Sequence, residues 1–288
     1  MIQLKIVISG KQGYLANQLK KYIGNKNSHH EISLISLRDE EAKWNLHNTD
    51  VFIHTSALVH KKEAKFSIED YYKVNTDLTI ELAKEAKVNG IKQFVFISSM
   101  SVFGTNEICI NEKTKLEPTS HYGKSKLAAE EELKKIESPD FTITIVRPPM
   151  IYGLDCPGNY KSLSKYAKLT FVFPLTKNKR SMIYIDNLCE FVFQAISNND
   201  RGIYHPQDSE YINTSVMVKE IALANKHKLY LSMIAGKFLK VFIGKSSIYK
   251  KIFGNLYYSK ELSMYRNNEY QKFSFKEAIN IIESGERK

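Results

Sequence analysis

The sequence predicts an α/β protein: a doubly wound parallel sheet with a smaller, mostly helical lobe. Three observations carry that expectation. Short β-branched and aromatic runs alternate with helical stretches through the first half, a glycine turn follows the first run, and beyond Gly153 the alternation gives way to helical patterning. Strands separated by helices of this length form parallel sheets covered on both faces, joined by right-handed crossovers.

The apolar run at residues 4–9 is the first strand, and residues 13–23 follow it as a helix. Residues 32–37 form a second strand, and residues 51–55 a third leading into a helical stretch at 68–89. Residues 94–98 form a fourth, followed by a helix over 119–136, and residues 141–146 a fifth. Pro157-Gly158-Asn159-Tyr160 reads as a loop, Ile183-Tyr184-Ile185 as one more strand entering a helix at Asp186-Asn187, and the tail from Asn213 as mainly helical. Residues 1–153 with a return segment at 180–204 are the expected nucleotide-binding domain. Residues 154–179 and 205–288 are the expected substrate-binding lobe.

With 288 residues, 43% apolar and 25% charged, the chain has the composition of an ordinary globular protein. Its formal charge of +11 favours anionic partners, among them nucleic acid, anionic lipid and phosphorylated small molecules. No nucleic-acid module accompanies the charge, so nucleic acid is not an expected partner. Three scattered cysteines, Cys109, Cys156 and Cys189, imply a reducing compartment without disulfides. Neither they nor His29-His30 and His60 have ligand spacing, so no metal is expected. The first residues run directly into a glycine turn and read as a strand rather than a leader. No run approaches the roughly 18 apolar residues of a membrane span. The expected location is cytoplasmic.

Ser9-Gly10-Lys11-Gln12-Gly13-Tyr14-Leu15-Ala16 joins the first strand to the first helix. Gly10 permits the tight turn, Gly13 lets backbone approach a pyrophosphate at the helix N-terminus, and Ala16 allows close helix–sheet packing. Gly10, Gly13, Tyr14 and Leu15 are therefore candidate cofactor contacts in a Rossmann domain. Gly-x-x-Gly-x-x-Ala also fits an ordinary strand-to-helix turn. After the second strand comes Ser36-Leu37-Arg38, with Asp39 beyond it. A guanidinium suits a ribose 2′-phosphate and a carboxylate a free 2′-hydroxyl, so Arg38 favours NADP(H), with NAD(H) as the alternative if Asp39 reaches the ribose.

Tyr122 and Lys126 lie four residues apart on one helix face, and Ser98-Ser99 ends the fourth strand. A serine hydroxyl, a phenol and an ammonium meeting beside a nicotinamide suit reduction of a carbonyl or oxidation of an alcohol.

In this order, the motifs resemble those of the extended short-chain dehydrogenase/reductases, and more narrowly the NAD-dependent epimerase/dehydratase family acting on nucleotide sugars. Asp50-Val51-Phe52-Ile53-His54-Thr55-Ser56-Ala57 matches the strand whose end lines the cofactor, and Val74-Asn75 the helix asparagine near the active site. Phe96-Ile97-Ser98-Ser99 and Ser120-His121-Tyr122-Gly123-Lys124-Ser125-Lys126 match the serine strand and catalytic helix. The resemblance implies that Ser99 bonds the reacting sugar oxygen and Tyr122 exchanges the proton. Lys126 is then expected to bind the nicotinamide ribose and lower the tyrosine pKa. Thr55, Ser56, Ala57 and Asn75 join the expected cofactor contacts. Arg180, matching an arginine that meets the nucleotide diphosphate, and Asn159 are the expected substrate contacts beside Ser99 and Tyr122.

Met100 and Ser101 follow Ser99, where the family's dehydratases carry acids and its 3,5-epimerase/reductases a cysteine, so hydride chemistry at one carbon is expected. Tyr204-His205-Pro206-Gln207-Asp208 and Phe253-Gly254-Asn255-Leu256 resemble a bacterial capsule and O-antigen branch. That likeness implies C4 reduction of a UDP-2-acetamido-2,6-dideoxy-hexos-4-ulose to UDP-N-acetylfucosamine or UDP-N-acetylquinovosamine. The alternatives are a UDP-sugar 4-epimerase and a non-catalytic dinucleotide-binding or membrane-associated protein. Residues 226–251 alternate apolar and basic side chains. They are expected to pack as lobe helices, with contact to anionic lipid as the lesser reading. A homodimer is possible by family habit alone.

Overall fold

A computed structural model describes residues 3–37, 44, 46–59, 66–104, 108–244 and 246–285. The chain runs β1 (Lys5–Ser9), α1 (Tyr14–Lys26), β2 (Glu31–Ile35), β3 (Val51–His54), α2 (Ile68–Tyr72), a π-helical turn (Lys73–Asp77), α3 (Leu78–Val88) and β4 (Gln93–Ile97). A 3₁₀ turn (Met100–Phe103) precedes β5 (Cys109–Ile110), α4 (His121–Ile136), β6 (Thr142–Val146), β7 (Met150–Tyr152) and α5 (Asn159–Leu169). The remainder is β8 (Val172–Pro174), β9 (Met182–Tyr184), α6 (Ile185–Ser197), β10 (Gly202–Tyr204), α7 (Thr214–Ala224), β11 (Tyr230–Ser232), α8 (Met233–Ile243), α9 (Ser247–Phe253), β12 (Tyr257–Tyr258) and α10 (Phe275–Ser284).

Contacts divide the chain into two units, one of Met1–Asn106, Lys113–Pro148 and Leu188–Pro206, the other of Glu107–Glu112, Pro149–Asn187 and Gln207–Lys288. In the first, six parallel strands run in the order β2-β1-β3-β4-β6-β10, so the expected α/β architecture is present. β1, β3, β4 and β6 are buried along almost their whole length, because helices cover both faces of the sheet. Phe52, Phe94, Phe96 and Phe141 fill the layer against α3 and α4, with Leu82, Ala83, Ala86, Ala129 and Leu133 as the helical side. The strand order reverses between β1 and β3, and such a reversal opens a crevice at the strands' carboxyl ends.

The second unit holds three two-stranded pairs, β7–β9, β8–β11 and β5–β12, among α5, α7, α8, α9 and α10. Its core includes Tyr152, Tyr160, Ile183, Tyr184, Val218 and Ile279. Asp208 accepts from Tyr152 Oη, Asn187 Nδ2 and the Tyr184 amide, and burial, partly offset by these donors, lifts its pKa to about 6. One local expectation changes: Asn159 and Tyr160 belong to a helix, since Gly158, at φ 118, caps α5 immediately before them.

Among the described residues of the first unit, Arg147 and Glu130 form a buried ion pair. Arg147, just past β6, donates through Nη2 to Glu130 Oε2 at 2.5 Å and through Nε to Oε1 at 3.1 Å, while Ser98 Oγ donates to Oε1. The guanidinium lies 5.0 Å over the Phe103 ring and its Nη1 meets His205 Nε2 at 3.4 Å. Removing one partner strands a buried charge. Glu130→Ala should cost about 3–5 kcal/mol in urea denaturation, and adding Arg147→Leu should recover much of that loss. His205 is held down to about 3, first by burial and then by the Arg147 charge. The unfolded chain therefore takes up that proton first, so its contribution is complete above about pH 6.5 and falls as pH drops toward 3. His205→Gln should flatten the loss of stability between those values, measured by denaturation across that range.

Candidate active site

The crevice is built from the carboxyl ends of β1, β3 and β4 and the start of α4. Gly10 sits at φ 98, and a Cβ there would come 2.9 Å from Thr55 Oγ1. Its amide and that of Lys11 donate to Ile35 O, and the Gly13 amide to Gly10 O at 2.6 Å, which fixes the turn. Gly13 caps α1 without a side chain and the first turn carries no acid, so the positive end of α1 faces the crevice without a side-chain cap, as an anion site requires. A Cβ on either glycine would intrude on this cradle, and a dinucleotide pyrophosphate fits the residues present. Tyr14 and Leu15 are half-buried in the first turn of α1.

Across the switch point, a buried polar chain holds the end of β3. Ser9 Oγ accepts from the Thr55 and Ser56 amides and the Ser56 hydroxyl, and meets His54 Nδ1 at 2.7 Å. His54 Nε2 lies 3.0 Å from Thr79 Oγ1, which donates to the Asn75 carbonyl at 2.8 Å. Thr79 has therefore spent its proton and must accept, so His54 carries its hydrogen on Nε2 and accepts from Ser9 on Nδ1. Burial and then the Lys126 charge hold its pKa well below the ordinary value, in keeping with this neutral form. Asn75 sits in the π turn. Its side chain takes the Leu58 amide and gives hydrogens to Leu58 O and Ser125 Oγ, tying the loop after β3 to α4.

Ser99 caps the 3₁₀ turn after β4, accepting from the Ser101 amide at 3.1 Å. That turn is pinned from behind, where Ser98 N donates to Val146 O and Met100 N to Pro148 O. Ser120 caps α4 through the Gly123 amide, so Tyr122 and Lys126 fall in its first turns. Tyr122 is 8% exposed and hydrogen-bonds Ser99. Burial pushes the phenol up to about 12, with the Ser99 bond pulling against it. Lys126 donates to Ile97 O at 2.9 Å and lies 4.4 Å from the centre of the Phe96 ring. Burial brings it down to about 7, and Glu130 one turn on opposes the fall.

Gly123 was not singled out by the sequence reasoning. A Cβ there would come 2.5 Å from Ser101 O and 3.0 Å from Pro118 Cβ. The helix thus rests its backbone on the serine turn, and that contact sets the Tyr122–Ser99 distance. The signal was present in principle, since a glycine inside a helix costs about 1 kcal/mol relative to alanine and calls for a packing reason. Arg38 and Asp39, on which cofactor selectivity was expected to turn, lie outside the described residues, as does His60.

Of the expected substrate contacts, Arg180 and Asn159 fall in the second unit. Arg180 donates through Nη1 to Gly254 O at 3.0 Å, and burial lowers its pKa. Beside it, Lys177, Asn178, Lys179, Asn213, Asn255 and Tyr257 line a cavity of about 450 Å³. Asn159 is exposed, with Nδ2 3.8 Å from Met150 Sδ.

Residues 6–207 match the family described as NAD dependent epimerase/dehydratase. The chain belongs to that family. Members of the NAD-dependent epimerase/dehydratase family are nucleotide-sugar epimerases and reductases, and the matching cofactor class is a nicotinamide dinucleotide. A UDP-glucose 4-epimerase of Vibrio cholerae is 28% identical over 281 residues, covering 87% of this chain and 86% of that protein. An N-acetyl-alpha-D-glucosaminyl-diphospho-ditrans,octacis-undecaprenol 4-epimerase of Escherichia coli O157:H7 is 33% identical over 167 residues, 55% of this chain and half of that relative. Among solved structures, a UDP-glucuronic acid 4-epimerase from Bacillus cereus in complex with NAD superposes with a TM-score of 0.73 at 15% identity over 96% of each chain. A dTDP-4-dehydrorhamnose reductase from Clostridium acetobutylicum gives 0.66 at 22% identity over 80% of this chain and 83% of its own. At these identities the structural likeness speaks for the fold.

Gly123→Ala should leave the fold intact yet move α4 off the serine turn. A displacement of that order is worth about 10²-fold in kcat. Steady-state kinetics beside a thermal melt would separate this outcome from general destabilisation.

Proposed function

We propose that the chain reduces C4 of a UDP-linked 2-acetamido-2,6-dideoxy-hexos-4-ulose, giving UDP-N-acetylfucosamine or UDP-N-acetylquinovosamine. The observation that carries this reading is the buried Tyr122 phenol hydrogen-bonded to Ser99, with its pKa raised to about 12. Such a phenol keeps its proton through neutral pH, and a carbonyl undergoing reduction needs a donor in that form. A nicotinamide dinucleotide on the glycine turn would supply the hydride. Tyr122 gives its proton to O4, and Ser99 steadies the charge that develops on the same oxygen. Lys126, when protonated and with one hydrogen on Ile97 O, has two left for ribose hydroxyls. Met100 is buried and Ser101 is a neutral hydroxyl, so neither offers the acid or base that elimination of water requires. Arg180 and the lysine-lined cavity beside it suit the diphosphate. Arg38 in the sequence supports NADPH as the reductant.

A second reading, reversible 4-epimerisation of a UDP-linked or polyprenol-diphosphate-linked sugar, draws on the names of the Vibrio and Escherichia relatives. Supplying NADPH with the 4-keto sugar separates the two. Stoichiometric oxidation with a new C4 stereocentre by NMR supports reduction. Interconversion of UDP-N-acetylhexosamines without net cofactor use supports epimerisation and overturns the first reading. Tyr122→Phe should lower kcat about 10²–10⁴-fold with dinucleotide affinity unchanged, and a fully active variant would remove Tyr122 from the chemistry.

A further inference from the structure

Helix α8 turns its apolar side outward. Met233, Ile234, Phe238, Val241 and Phe242 are 66%, 76%, 63%, 79% and 72% exposed, and the Phe238 and Phe242 rings stack at 5.0 Å. The inward side is small. Gly236 is buried, where a Cβ would lie 2.1 Å from Leu175 O, and Ala235 and Leu239 are half-buried beside it. At about 100° per residue, these five residues fall on one half of the helix, with exposed Lys237 among them and exposed Lys240 at the margin, while Ile243, 41% exposed, lies on the other half. The strand pair leading into α8 continues the pattern, since Tyr230 pairs with Val172, and both of these and Phe171 are more than half exposed. The sequence expectation that these helices pack their apolar faces inward therefore fails for α8.

The chain segments that form this region are strongly cationic, although Lys168 is paired with Glu283 at 2.8 Å. Residues 221–260 contain eight lysines and no carboxylate, and residues 156–185 contain five lysines and one arginine, again with no carboxylate. An extended apolar face carried by cation-rich segments is complementary to a surface that is apolar within and anionic at its boundary. A second copy of the chain fits less well, because a two-fold contact through this face would set the same lysines against one another. The helix has 11 residues and spans about 16 Å, enough to lie in a lipid headgroup layer and too little to cross a bilayer. Among the described residues no helix is long and apolar enough to cross a membrane.

We propose that α8 and the β8–β11 pair dock the protein on anionic phospholipid, with Phe238, Val241 and Phe242 entering the acyl boundary and Lys237 and Lys240 at the headgroups. The proposal goes beyond the hydride chemistry and does not depend on it. The test is flotation of the full chain with vesicles of equal parts phosphatidylglycerol and phosphatidylcholine, beside vesicles of phosphatidylcholine alone. Binding to the anionic vesicles only, weakening with salt, is the expected result. Phe238→Glu with Val241→Glu should cut it at least about tenfold while thermal stability is unchanged, and Lys237→Glu with Lys240→Glu should flatten the salt dependence. No flotation with anionic vesicles at low salt overturns the proposal. So does equal binding by the Glu variants, or a solution dimer that Phe238→Glu dissociates.

Discussion

A single buried carboxylate, Glu130, holds together the parts from which the candidate site is made. Its oxygens take hydrogens from Arg147 beyond β6 and from Ser98 at the end of β4, while its own backbone belongs to α4. Tyr122, Lys126 and Glu130 follow one another at intervals of four along α4, so one helix face carries phenol, amine and anchor. Ser98 is the neighbour of Ser99. Gripping Glu130 thus sets the depth at which Tyr122 meets the serine turn, and Gly123 leaves out a Cβ that would come 2.5 Å from Ser101 O. A charge so deep is tolerated because every acceptor position faces a donor.

Exclusion of water gives the site its chemical character. Burial holds the phenol more firmly in the protonated form it already prefers at neutral pH and drives the lysine toward its neutral one, against that group's usual preference. The histidine behind them is neutral for the same reason, and its fixed tautomer passes hydrogen bonds from Ser9 to Thr79 without a net charge. The crevice is therefore lined by polar groups whose hydrogens are already directed, which is the condition for stabilising a developing alkoxide without reorganisation.

Much of this was legible in the sequence, for local reasons. Strand and helix periods differ, so the alternation from Lys5 to Val146 could be read directly, and Gly10 and Gly13 mark a turn that only a small residue permits. Ser99, Tyr122 and Lys126 fell together because a strand end and a helix start have few ways to meet. What stayed hidden were directions rather than positions. No pattern shows that Lys126 donates to Ile97 O, or that Asn75 occupies a π turn and spends its amide on Leu58. The same limit hid α8. An amphipathic period states that a helix has two faces, while Gly236 against Leu175 O decides which one is inward.

The last strand of the six, β10, reaches its place only after the chain has laid down β7, α5, β8 and β9 in the other unit. During synthesis five strands can pair while Thr144 and Val146 still lack their outer neighbour, and His205, which covers Arg147, arrives one residue after β10 ends. Nascent chains released before that point would display an open sheet edge and an ion pair without its lid. Ribosomal pausing inside residues 147–204 would therefore prolong the interval in which this protein is most exposed to chaperones and proteases.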